Sequence, residues 1–184
     1  MAEVKDEIIF KRCAGLDVHQ AEIAACIRLV SEEGKVTGHA RRFETTPSGL
    51  RALREWLREY GITHVAMEGT GVYWQPVYNE LRGHFDLTVC NAHHVKKVPG
   101  KKKTDQSDAS WLAQLLSYGA LKKSFIPPDD IRELRELTRT RAHHVDDRSA
   151  VVNGIHRLLE RIGLKLASVV SDLQGATALA ILRD

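Results

Sequence analysis

Cysteine is scarce in this chain: Cys13, Cys26 and Cys90 are the only three among 184 residues, and their spacing forms no pair. That excludes the disulfide framework of small secreted domains and fits reduced thiols in a cytosol. Each cysteine lies in an apolar strand pattern, where it serves as a small core residue. No apolar run is long enough to span a bilayer, and no signal peptide opens the chain, so a cytoplasmic protein is expected. Internal repeats and low-complexity tracts are absent. Neither charge sign dominates: 27 basic residues against 24 acidic ones give +3, compatible with a polyanionic partner but not diagnostic of one. With 43% hydrophobic and 28% charged residues, the chain is globular, not disordered.

Proline is also sparse, five in all, and its positions punctuate the chain. Ile8 to Val18 reads as a strand, Ala21 to Val30 as a second, and Val36 to Phe43, after the Glu33-Gly34 turn, as a third. Thr45-Thr46-Pro47 starts a helix, a hydroxyl cap followed by proline where its missing N–H costs little. Leu50, Leu53, Trp56, Leu57 and Tyr60 form the buried stripe of that helix, and Gly61 ends it. Ile62 to Met67 is a short strand delivering Glu68. The Gly69-Thr70-Gly71 turn leads into a helix from about Val72 to Leu81, and Phe85 to Cys90 is a fifth strand. A basic loop or broken helix covers His93 to Thr104, and a helix runs from Asp105 to Tyr118. Three meandering strands followed by alternating helices and strands predict a mixed five-stranded α/β sheet covered by helices.

Ile126-Pro127-Pro128-Asp129 marks a boundary, giving a first domain over 1–125 and a helical segment over 129–184. From Ile131 to Ile162 there is no proline. Leu134, Thr138, Arg141, Val145, Arg148, Val152, Ile155, Leu159 and Ile162 alternate spacings of four and three, a coiled-coil seam that is apolar in its second half. The alternative is a long helix folded back on the domain. Another amphipathic stretch follows Gly163-Leu164, and the Ala/Leu pattern running into Asp184 reads as a cut end.

The central stretch is Lys101-Lys102-Lys103-Thr104-Asp105-Gln106-Ser107-Asp108-Ala109. Asp105 and Asp108, three apart, share one helix face in a first turn, where negative charge is favoured. Alone, that describes only an acidic helix start after a solvated lysine loop. Asp17 and Glu68 change the weighing, because both stand at strand ends, and the first and fourth strands of such a sheet can be neighbours. Four clustered carboxylates repel one another unless a cation joins them. Mg²⁺ takes hard oxygen ligands, and paired ions of this kind activate an attacking oxygen and relieve the leaving one in phosphodiester chemistry.

Gly15-Leu16-Asp17-Val18-His19, Met67-Glu68-Gly69-Thr70-Gly71-Val72-Tyr73-Trp74 and Lys103-Thr104-Asp105-Gln106-Ser107-Asp108-Ala109 resemble the motifs of the DEDD transposases of bacterial insertion sequences, in the insertion-sequence family numbered one hundred and ten. The resemblance covers about residues 13–165, including Leu134-Arg135-Glu136-Leu137-Thr138-Arg139 and Asn153-Gly154-Ile155-His156. It implies a fold like RuvC resolvase and ribonuclease H, with Asp17, Glu68, Asp105 and Asp108 as a tetrad binding Mg²⁺ or Mn²⁺. It further implies a recombinase acting on bacterial DNA, guided by a structured RNA and assembled as a dimer or tetramer through the helix over 131–162. In relatives a further C-terminal domain supplies a serine nucleophile, and such a domain is expected beyond residue 184.

Other residues carry weaker signals. Cys90, His93 and His94 lack a second ligand pair at zinc spacing. His19 is expected to turn to the face opposite Asp17, as a supporting or surface residue. Thr70 is read as a helix cap or phosphate contact, and Tyr73 and Trp74 as base-stacking or core residues. Lys96, Lys97, Lys101, Lys102 and Lys103 are candidate phosphate contacts. Ser107 has no evident base partner. The competing readings are a stand-alone nuclease for four-way junctions using the same carboxylates, and a non-catalytic nucleic-acid-binding and dimerisation module.

Overall fold

The computed structural model describes residues 7–91, 93, 95, 108–170, 172 and 175–183. The chain divides into two compact units, Met1–Phe125 and Ile126–Asp184. In the first, β1 (Arg12–Val18), β2 (Glu22–Val30) and β3 (Val36–Glu44) precede α1 (Pro47–Glu59), β4 (His64–Glu68), α2 (Trp74–Leu81), β5 (Asp86–Cys90) and α3 (Asp108–Ser117). The strands form one mixed sheet in the order β3-β2-β1-β4-β5. β1 to β3 meander antiparallel, while β1, β4 and β5 run parallel, as the expected five-stranded mixed sheet requires.

The sheet has two differently built faces. Ala14, Leu16, Ile23, Ala25, Ile27, Val65, Met67, Leu87 and Val89 alternate onto one face, and all are buried. Phe43 pairs with Ile23 and meets the Trp56 ring at 5.3 Å between centroids, so α1 packs on this side. The α1 start follows its sequence signal: Thr46 accepts a hydrogen bond from Gly49 N at 3.2 Å, and Pro47 opens the helix. Leu50, Leu53, Trp56 and Leu57 form its buried stripe, and such side chains contribute roughly 1.5–3 kcal/mol each on burial.

The opposite face carries α3, which packs on β1, β2 and β4. Its residues Trp111, Leu112, Leu115 and Leu116 join Cys13, Ala66, Cys90 and Val95 in a core cluster. Contact is closest at Gly15, where a Cβ would stand 2.1 Å from Ala109 O and 2.5 Å from Ala113 N. Only a residue without a side chain lets the helix backbone settle directly on the strand. The Cys13 thiol donates to Ala113 O at 3.3 Å, and Arg28 Nε donates to Ser117 Oγ at 3.1 Å.

The first strand is shorter than the expected Ile8–Val18. Ile9 and Phe10 donate their N–H groups to Ser117 O, so this lead-in is tied to the end of α3 instead of a neighbouring strand. α2 begins at Trp74, two residues later than expected, with Tyr73 as N-cap and no side-chain capping bond; Thr70 therefore does not cap it. The third helix is described from Asp108, and Asp105 to Ser107 lie outside the described residues. At the far edge, β3 is exposed along its length except at Phe43.

In the second unit, α4 (Asp129–Arg161) is a single 33-residue helix after Pro128, as its sequence pattern predicts. A 3-10 turn over Leu166–Ser168 and a short helix α5 (Ala176–Ile181) follow. Leu166 and Ala178 form a small core against Val152, Leu159 and Val170. Two positions of the expected seam, Val152 and Leu159, are therefore partly covered by the chain's own following segment. Among the described residues no helix is long and apolar enough to cross a membrane.

The Gly15 contact makes a direct prediction. Gly15→Ala drives a methyl into helix backbone that has no flexible end to yield, and overpacking of this kind costs about 1–3 kcal/mol. A urea titration followed by far-UV circular dichroism should move to a lower midpoint by that amount, whereas Gly34→Ala, whose Cβ would meet nothing within 4 Å, should carry only the cost of its φ of +80°.

Candidate active site

The β1–β4 register runs from Cys13 opposite His64 to Leu16 opposite Met67. One step further along both parallel strands stand Asp17 and Glu68. Side chains two apart in a strand share a face, so Asp17 lies with Gly15, and Glu68 with Ala66, on the side covered by α3. Two carboxylates are thereby brought to one height on neighbouring strands, at the carboxyl edge of the sheet. Asp108 opens α3, immediately before the Ala109 backbone that rests on Gly15. Asp108 is exposed and Asp17 half-buried.

Asp105 lies outside the described residues, as do Lys96, Lys97, Lys101, Lys102 and Lys103. Among the described residues, no three His, Cys, Asp or Glu side chains stand close enough together to hold a metal ion. The donor chemistry of Asp17, Glu68 and Asp108 is nevertheless all carboxylate oxygen, the type that Mg²⁺ or Mn²⁺ takes, without the thiolate or imidazole pairs of a zinc site.

His19 departs from the expected arrangement. Its Nε2 lies 3.1 Å from Asp17 Oδ2, so the ring turns to the same side as the carboxylate. The spacing of two already implied this, because alternate residues of an extended strand return to one face. Backbone bonds fix its position: His19 N donates to Glu22 O at 2.9 Å, and Thr45 Oγ1 donates to His19 O at 3.2 Å.

Beyond Glu68 the chain turns sharply. Gly69 N donates to Cys90 O at 2.9 Å, and a Cβ at Gly69 would lie 2.9 Å from Val89 Cγ1. Thr70 is exposed. Trp74 is engaged internally, its Nε1 donating to Gly71 O at 3.2 Å and its ring meeting Tyr78 edge-on at 5.8 Å.

Cys90, which pairs with Glu68 across β4 and β5, is the neighbour that sequence reasoning missed. Burial pushes its thiol up to about 12, and the Glu68 carboxylate adds to the rise. Burial likewise pushes Cys13 up to about 12, opposed by the Arg28 guanidinium. No local sequence signal links Cys90 to Glu68, since the contact depends on the strand register.

A five-stranded sheet in this order, antiparallel on one side of β1 and parallel on the other, with helices on both faces, is an RNase H-like domain. The chain belongs to the IS110 family of DEDD transposases, whose pattern, described as transposase, matches residues 14–164. Among solved structures it is similar to T. thermophilus RuvC in complex with a Holliday junction substrate, at 15% identity and a TM-score of 0.45, over 61% of this chain and 99% of that one. Similarity to the fowlpox virus resolvase bound to Holliday junction DNA is more distant, at 13% identity and a TM-score of 0.36, over 50% of this chain and 65% of that one. No protein of curated function matches by sequence.

The thiols offer a test of the Glu68 position. Both protons are held in the folded chain while an unfolded thiol titrates near about 8.5, so their stabilisation is complete below that pH and is lost as pH rises toward 12. Glu68→Gln removes a charge that opposes the Cys90 thiolate. The pH dependence of the cysteine 13Cβ chemical shifts, read by NMR on the folded chain, should shift to lower pH at Cys90 and stay in place at Cys13. Equal behaviour of the two thiols would contradict a carboxylate facing Cys90.

Proposed function

We propose that this chain carries the catalytic carboxylates of a transposase that cleaves and rejoins DNA strands with divalent cations, Mg²⁺ or Mn²⁺. The observation that carries this reading is the shared height and face of Asp17 and Glu68 on neighbouring parallel strands, beside the helix that Asp108 opens. Membership of a transposase family supports the reaction class. Asp17, Glu68, Asp105 and Asp108 would hold the metal. When bound, it would supply Lewis-acid activation of the attacking oxygen and charge relief at the leaving oxygen.

The protein's own part is positional. β1 and β4 hold two carboxylates on a hydrogen-bonded sheet, where their spacing does not depend on a loop. His19 touches one Asp17 oxygen and restricts the rotation of that carboxylate. Lys96, Lys97, Lys101, Lys102 and Lys103 would draw in the DNA backbone through phosphate contacts, and a structured RNA would select the sites. Asn or Gln in place of an acid keeps the shape and removes the charge. Asp17→Asn and Glu68→Gln should each lower recombination by at least about a hundredfold, while filter binding of DNA stays equal or tightens. Normal recombination by either variant would reject the tetrad. Changing Lys101, Lys102 and Lys103 together to alanine should do the reverse, weakening binding to all sequences and flattening its salt dependence by up to about three phosphate contacts.

Assembly through α4 is part of the same proposal. Val152 and Leu159 are partly covered within the unit, but Val151, Ile155, Leu158 and Ile162 remain exposed at spacings of four, three and four. Such a stripe is the kind that a second helix covers in a coiled coil. Val151→Asp with Leu158→Asp should halve or quarter the mass measured by light scattering and leave the helical content of the dissociated chain intact. A mass equal to one chain before and after the change would reject assembly through this face.

A further inference from the structure

The turn after Glu68 presents two apolar side chains to solvent: Val72 is 59% exposed and Tyr73 41%. The turn is braced, not loose. Gly69 N is bonded to Cys90 O, Gly71 takes a φ of +63°, and Gln75 N donates to Val72 O at 3.1 Å. Trp74 fastens it, through its bond to Gly71 O and its ring against Tyr78. The larger aromatic is thus used to stiffen the turn, while the smaller one is held outward beside it. Exposing a ring and a branched aliphatic on a braced turn leaves apolar surface in water that a flexible loop could fold away.

The position limits what such a surface can meet. It follows Glu68 by four and five residues, at the edge of the sheet where the proposed reaction takes place. A phosphodiester brought to those carboxylates carries its bases with it, and an aromatic face stacks on any base regardless of sequence. We propose that Tyr73, flanked by Val72, is a stacking platform for a base of the DNA strand that enters the site, with Trp74 as its internal support. This rests on the proposed function, because the ligand is the DNA strand that reading requires. It adds a contact that recognises a displaced base instead of the phosphate backbone. Its natural substrate would be a strand whose bases are unpaired close to the point of cleavage.

The test uses the full chain and a 12-nucleotide single-stranded DNA probe in which one abasic residue is moved along the strand. Tyr73→Ala should weaken binding of the intact probe by roughly five- to a hundredfold, the range supplied by one stacked base, while Tyr73→Phe keeps the affinity. At one probe position, loss of the base should cost the unaltered protein a similar factor and cost the Tyr73→Ala protein nothing. That coupling is the signature of stacking, since a general weakening of the turn would leave the abasic penalty in place. Unchanged affinity in Tyr73→Ala, equal losses in the Ala and Phe variants, or an undiminished abasic penalty would each overturn the platform while leaving a DNA-binding enzyme intact. Coupling seen only with the matching RNA probe would overturn its assignment to DNA. Failure of the unaltered protein to bind any DNA probe, with melting unchanged, would remove the proposed function and the platform together.

Discussion

The contact of α3 with Gly15 is the constraint from which the rest of the first unit follows. A helix whose backbone lies directly on the central strand fixes three things together: the depth of the core, the height of Asp108 and the face left for Asp17. No side-chain layer at that point separates helix from strand, so little adjustment is available. The core around Trp111, Leu112, Leu115 and Leu116 then closes on Cys13, Ala66 and Cys90. Packing and chemistry share one strand face here, with the buried part ending at Ala66 and Gly15 and the carboxylates beginning two residues later.

Much of this arrangement was legible in the sequence because it is written in short-range patterns. Alternation marked the strands, the Thr46-Pro47 pair marked the start of α1, and unbroken heptad spacing marked α4. The two acids stood out because each lies at or next to the end of a strand and precedes a turn. What failed depended on contacts distant in sequence. The lead-in to β1 is captured by Ser117, more than a hundred residues away, and the Cys90–Glu68 contact exists only through register. His19 was misjudged for a different reason: its spacing of two from Asp17 predicted a shared face, and alternation alone was sufficient to find it.

The long helix teaches a related lesson about seams. A heptad pattern says which residues are apolar on one stripe and is silent on which partner covers them. Val152 and Leu159 find theirs in the following segment, so the pattern that looks continuous in sequence is divided in three dimensions into an inward part and an outward part.

The placement of β1 has a consequence for how the sheet opens. β1 is hydrogen-bonded on both sides and is the central strand, third of five from either edge, whereas β3 has one partner and almost no cover. Local unfolding proceeds from such margins inward, and amide hydrogens there exchange with solvent long before those of the interior. β3 can fray and re-form while the β1–β4 pair stays closed. Asp17 thus sits two strands inside the β3 margin and Glu68 three, and thermal breathing at that margin need not disturb either carboxylate.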